Sequence, residues 1–192
     1  MSTINEESNE NVEHERRFLV CGREWAELGH AEHLYQGYLN TDKDRTVRVR
    51  IKGDKAFFTV KGRTVGNEKP EIETEIPVDK AQAILEHPQK LCIGYPIEKT
   101  RRTIEIGDLT WEVDEFAREN QGLIIAEVEY KGPKSGKDAW NQKVNEERPT
   151  WTGVELTVND PEYFNSRLTE DPFSLWTKEK QAPMHQHAAG CD

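Results

Sequence analysis

Near the start of the chain, Glu13, Glu15 and Arg17 stand two residues apart, two carboxylates followed by a guanidinium. Glu127 and Glu129 repeat the acidic spacing, and Arg48/Arg50 and Lys99/Arg101 repeat it with cations. In a strand, side chains two apart share a side, roughly 7 Å from each other. Like charges held that way repel, so they make poor structure. Paired carboxylates do suit a hard divalent cation, which takes oxygen ligands. Paired guanidinium and ammonium groups suit phosphate oxygens, Arg through its bidentate fork. A chain that supplies both sets is equipped for a metal-polyphosphate ligand.

Alternation supplies the strands that position them. "RTVRVRIK" (45–52) puts Val47, Val49 and Ile51 on one face and Arg48, Arg50 and Lys52 on the other, the period of a strand with one cationic face. "KAFFTVKG" (55–62) follows a hairpin turn at Gly53 and Asp54. Strands are predicted from "EIETEIPV" (71–78), "IEKTRRTIEIG" (97–107), "LTWEVDEFA" (109–117) and "GLIIAEVEYKG" (122–132). The opening segment and "HLYQGYLN" (33–40) bring the expectation to about eight strands. Helices are expected at 78–87, where Asp79 caps and Pro88 stops the run, and at 22–31, 137–147 and 160–171. Residues 1–10 and 177–192 read as disordered tails, the second carrying His185, His187 and Cys191. That leaves 11–176 as one domain. The stretch 132–149 reads as an insertion, inert, a lid or a partner surface.

Composition narrows the classes. The 192 residues are 34% hydrophobic and 32% charged, with a net charge of −10. That balance speaks against a nucleic-acid partner. No apolar run reaches a membrane span, so no membrane partner is expected. The N-terminus lacks a signal-peptide stretch and the three cysteines are scattered, so a cytoplasmic location is expected.

A solvated face accounts for any one charged strand. Six or seven such strands in one chain point instead to a closed antiparallel barrel turned inside out: a charged interior, apolar faces outward, and helices covering them. The expected fold class is therefore α+β, mainly β, a closed eight-stranded antiparallel β tunnel with a polar interior and helices outside. The inward cations would be Arg17, Arg48, Arg50, Lys61, Lys99 and Arg101. The inward acids would be Glu13, Glu15, Glu73, Glu75, Asp114, Glu127 and Glu129. The two sets nearly balance, as buried charge requires.

These residues resemble the CYTH superfamily, the triphosphate tunnel metalloenzymes, whose opening signature is E-x-E-x-K. Here Glu13-His14-Glu15-Arg16-Arg17 stands in its place, with Arg17 where the family normally has Lys. The blocks "QGYL", "VRVR", "TVKG", "EIETEI", "EKTR", "WEVDEF", "AEVEY" and "GVELT" follow in order. The resemblance implies a Mg²⁺- or Mn²⁺-dependent enzyme acting on a triphosphate. Glu13, Glu15, Glu129, Glu127 and Asp114 would hold metal, with Glu155 near them. Arg17, Arg48, Arg50, Lys61, Lys99 and Arg101 would cradle phosphate, oriented by Glu73 and Glu75. Arg17, Lys99 and Glu127 are the candidates for the chemical step.

The expected reaction is hydrolysis of inorganic tripolyphosphate to pyrophosphate and phosphate. An adenylyl cyclase, a thiamine triphosphatase with Trp25 or Trp151 stacking the base, and a non-catalytic polyphosphate-binding module remain open alternatives. A homodimer is compatible with all of them.

Overall fold

The computed structural model describes residues 11–42, 44–63 and 70–181. The tails at 1–10 and 182–192 lie outside the described residues. Residues 177–181 lie inside them, with Lys180 paired to Asp171 at 2.8 Å and its ammonium over the Trp176 ring.

Nine strands form one antiparallel sheet: β1 (Asn11–Val20), β2 (His30–Asn40), β3 (Arg45–Lys52), β4 (Lys55–Gly62), β5 (Glu71–Ile76), β6 (Ile97–Ile106), β7 (Leu109–Phe116), β8 (Ile124–Pro133) and β9 (Thr152–Leu156). Their order is β5-β4-β3-β2-β6-β7-β8-β1-β9. The mainly β class with charged concave face is as expected; the count and the closure differ. The ninth strand, β9, pairs with β1 across a bulge between Phe18 and Val20. No ladder joins β5 to β9 among the described residues. β5 protects its open edge with charge, Glu71, Glu73 and Glu75 on one face.

The helices are α1 (Val78–Leu85), α2 (Lys137–Glu146) and α3 (Asn165–Leu168), with 3-10 turns between strands and at Pro161–Tyr163 and Phe173–Leu175 after β9, where one helix over 160–171 was expected. Asp79 sits in the first turn of α1 rather than capping it; Pro77 holds the cap position with no side-chain bond. In the 22–31 segment the expected helix is replaced by a 3-10 turn at Glu24–Glu27, and β2 begins at His30.

Three apolar clusters hold the sheet. Tyr35, Val49 and Ala56 on the outer faces of β2, β3 and β4 pack under Ala81 and Leu85 of α1. Phe18, Ile104, Trp111, Val113, Ala126 and Val128 on the outer faces of β1, β6, β7 and β8 pack with Trp25, Trp151 and Val144 of α2. The 132–149 segment is therefore a structural cover for the outer sheet, through Val144 and the partly buried Trp140.

The third cluster was not foreseen. Leu19, Ile97, Phe116 and Ile125 occupy positions that continue the charged inner faces, and they pack with Leu123, Leu156, Tyr163, Leu168, Phe173 and Trp176. The interior is charged at one end and apolar at the other, so the enclosed space has a floor. No helix among the described residues is long and apolar enough to cross a membrane.

Candidate functional site

Above that floor lies a cavity of about 530 Å³. Its lining draws on β1 through β8, because period-two alternation aims one face of every strand inward. Of the expected residues, Glu13, Glu15, Arg17, Arg48, Arg50, Lys61, Glu73, Lys99, Arg101, Glu127 and Glu129 all line it.

The basic wall is built on β3 and β4. Glu73 organises it: its Oε2 accepts from Thr59 Oγ1 at 2.7 Å and Arg50 Nη2 at 3.3 Å, and lies 3.6 Å from Arg48 Nη2. Glu71 takes Lys61 at 2.9 Å. The Nε atoms of Arg48 and Arg50 are buried with no hydrogen-bond partner among the described residues. Burial and the adjacent Arg48 pull the Arg50 pKa below its ordinary value. Cations crowded side by side in this way are what an anion relieves. Glu75 stays outside this group; it pairs with Lys55 at 3.7 Å, and both are exposed.

The acidic wall is built on β8, β1 and β7. Register sets Glu15 opposite Glu129 and Glu127 opposite both Arg17 and Glu112. Burial, with Glu129 adding to it, raises the Glu15 pKa against the pull of Arg17. Burial and the nearby Asp114 push Glu127 up to about 7. Among the described residues, no three His, Cys, Asp or Glu side chains are gathered tightly enough to hold a metal ion. The carboxylates rest on the protein's own cations: Glu15 on Arg17 at 3.2 Å, Glu127 on Arg101 at 2.8 Å and Glu129 on Lys131 at 3.0 Å. An oxygen-only set on two adjacent strands, with Glu15 and Glu129 each about half exposed, fits a hard divalent cation in donor chemistry.

Lys99 and Asp114 separate the walls from the floor, both almost fully buried and paired to each other. The Lys99 ammonium lies 5.2 Å from the Phe116 ring centre, which belongs to the floor. Arg101 forks onto Asp114 through Nε at 2.7 Å and Nη2 at 2.6 Å, and also binds Glu112. Burial opposes the Asp114 charge, yet Lys99 and Arg101 outweigh it and hold its pKa low. Burial likewise opposes the Arg101 charge, and Asp114, Glu127 and Glu112 outweigh it and raise its pKa. Asp114, expected among metal ligands, is placed behind the cations as their anchor and does not line the cavity.

Arg17 is buried, and its guanidinium lies 3.9 Å from the Phe164 ring centre. Glu155 is elsewhere: it accepts from Arg16 at 2.7 and 2.6 Å on the other side of β1. Trp25 and Trp151 are buried in the outer cluster, so neither is placed to stack a ligand ring. Sequence reasoning omitted Glu112, Glu71 and Lys131 from the site, although each continues an alternation already read. It also omitted Phe164 and Asn165, which come from a segment with no strand period.

A curved antiparallel sheet facing an acidic wall with a basic one is the architecture of the CYTH domain, and that family matches residues 11–152: the chain belongs to it. A relative from Acetivibrio thermocellus, an inorganic triphosphatase, is 41% identical over 159 residues, covering 83% of this chain and 94% of its own. The crystal structure of the inorganic triphosphatase NE1496 is 30% identical with a TM-score of 0.59, covering 86% of this chain and 96% of that one. The PH1012 protein of Pyrococcus horikoshii, at 17% identity and TM-score 0.52, covers 77% of this chain and 98% of its own and shares the fold.

Proposed function

We propose that this chain hydrolyses inorganic tripolyphosphate to pyrophosphate and phosphate with Mg²⁺ or Mn²⁺ as cofactor. The observation that carries the reading is one cavity lined both by Arg48, Arg50 and Lys61 and by Glu13, Glu15, Glu127 and Glu129. The likeness to two inorganic triphosphatases selects the substrate.

Arg48, Arg50 and Lys61 bind and straighten the phosphate chain. Glu73 and Glu71 hold those cations in place. Lys99 and Arg101, fixed by Asp114, meet the charge that spreads over the equatorial oxygens as the terminal phosphoryl group is displaced. Glu13, Glu15, Glu127 and Glu129 would hold the divalent cation. When bound, that cation neutralises phosphoryl oxygens and acidifies water. Glu127, which lines the cavity and is held by Arg101 at 2.8 Å, is placed to accept a proton from the attacking water.

The test is a substrate panel. Purified protein with Mg²⁺ or Mn²⁺ is offered tripolyphosphate, ATP and thiamine triphosphate, and phosphate, pyrophosphate and cyclic AMP are quantified. Preferential turnover of tripolyphosphate is expected. Cyclic AMP as the main product, or thiamine triphosphate as the preferred substrate, overturns the reading.

A further inference from the structure

Phe164 belongs to the wall of the main cavity and also to the walls of two flanking hollows of about 310 and 630 Å³. The first hollow lies toward Tyr38, Thr46 and Thr59 on β2, β3 and β4; the second lies toward β9. The ring therefore stands where three spaces meet. Its backbone is pinned on both sides. Tyr163 is buried with its ring edge-on to Trp176 at 5.1 Å, and Leu168 is fully buried in the floor.

Arg17 completes the partition. Its guanidinium covers the Phe164 face at 3.9 Å, its Nη1 donates to the Tyr163 carbonyl at 3.4 Å, and its Nε lies 3.2 Å from Glu15. A planar guanidinium can stack on a ring while its edges donate in the plane; a Lys ammonium, a point charge on a flexible stem, cannot do both. This gives Arg17 work that the Lys of the family signature would not do.

We propose that Arg17 and Phe164 form a specificity-determining partition, which confines the cavity to a compact inorganic triphosphate and excludes one that carries an organic group on a terminal phosphate. The inference rests on the triphosphatase reading. Glu15 also borders all three spaces, and replacing the ring by a methyl widens the passage between them and gives a nucleoside or a similar group more room.

The test compares kcat/KM for tripolyphosphate and for ATP in wild type, Phe164→Ala and Arg17→Lys. Phe164 is 40% exposed, so its truncation leaves the fold intact, which thermal melting checks. The preference for tripolyphosphate should fall about tenfold in Phe164→Ala, mainly through a lower KM for ATP, a change that loss of packing alone would not produce. Arg17→Lys, which keeps the charge and loses the planar stack, should shift the preference the same way. A preference unchanged within about twofold in both variants overturns the partition and leaves the triphosphatase reading standing. Wild type that prefers ATP defeats the triphosphatase reading itself. If wild type turns over neither compound, that reading also fails, and calorimetric affinities for the two compounds then judge the partition by the same ratio.

Discussion

Glu127 carries the conflict of the site in a single carboxyl. It faces Glu112 across the β7–β8 ladder and Arg17 across the β8–β1 ladder, and it holds Arg101. The consequence for stability has a definite sign. An ordinary Glu ionises near 4.5, and folded Glu127 near 7. Between those values the unfolded chain releases a proton that the folded chain keeps, so stability falls as pH rises across the window. The contribution from this one group is on the order of 3 kcal/mol. Thermal melts in chelator from pH 4.5 to 7 should show the decline, and Glu127→Gln should flatten it. Glu13 and Glu129 are exposed, so Glu13→Gln and Glu129→Gln should melt within about 0.5 kcal/mol of wild type. Each should still lose more than about 100-fold in tripolyphosphate turnover, because the proposed metal site loses a ligand. Wild-type turnover in either variant would show that the metal lies elsewhere.

At the scale of elements, β1 explains how one short segment serves two purposes. Glu13, Glu15 and Arg17 face the cavity, while His14 and Arg16 face α2 and β9. His14 meets the Trp140 ring at 5.5 Å, and Arg16 clamps Glu155 while donating to Asn145 at 2.9 Å. α2 thereby braces the strand that carries half the acidic wall. Val144→Ala, which removes two buried methyl groups' worth of contact under α2, should cost about 2 kcal/mol, read by denaturant unfolding.

Alternation made these faces legible in the sequence: Val47, Val49 and Ile51 against Arg48 and Arg50 leave little choice. It was silent on β9, which has five residues and pairs through a bulge. It gave side but not depth, so Leu19 and Ile97 were not recognised as the floor beneath Arg17 and Lys99. Nothing in "DPEYFNSRL" has a period that would aim Phe164 at the cavity; only the pinning of Tyr163 and Leu168 in the folded core does that.

Taken whole, the molecule keeps its apolar material in two outer layers and one internal floor, and reserves the rest of the interior for charge. This is how a chain that is 34% hydrophobic builds the walls and floor of a cavity. Among the described residues, Glu15, Glu127 and Glu129 pair with the protein's own Arg17, Arg101 and Lys131. A divalent cation that binds the folded state alone should therefore add about 2.7 kcal/mol of stability at 100 times its Kd and so raise the melting temperature. The rise should be lost in Glu129→Gln, and a wild-type melt indifferent to Mg²⁺ and Mn²⁺ would remove the metal from the account. The most direct measurement is phosphorus NMR of tripolyphosphate incubated with the purified chain and Mg²⁺ or Mn²⁺. The two-walled cavity predicts equimolar phosphate and pyrophosphate, arrested by chelator and absent with Glu129→Gln. Tripolyphosphate that persists with wild-type protein, or is consumed equally by Glu129→Gln, would contradict it.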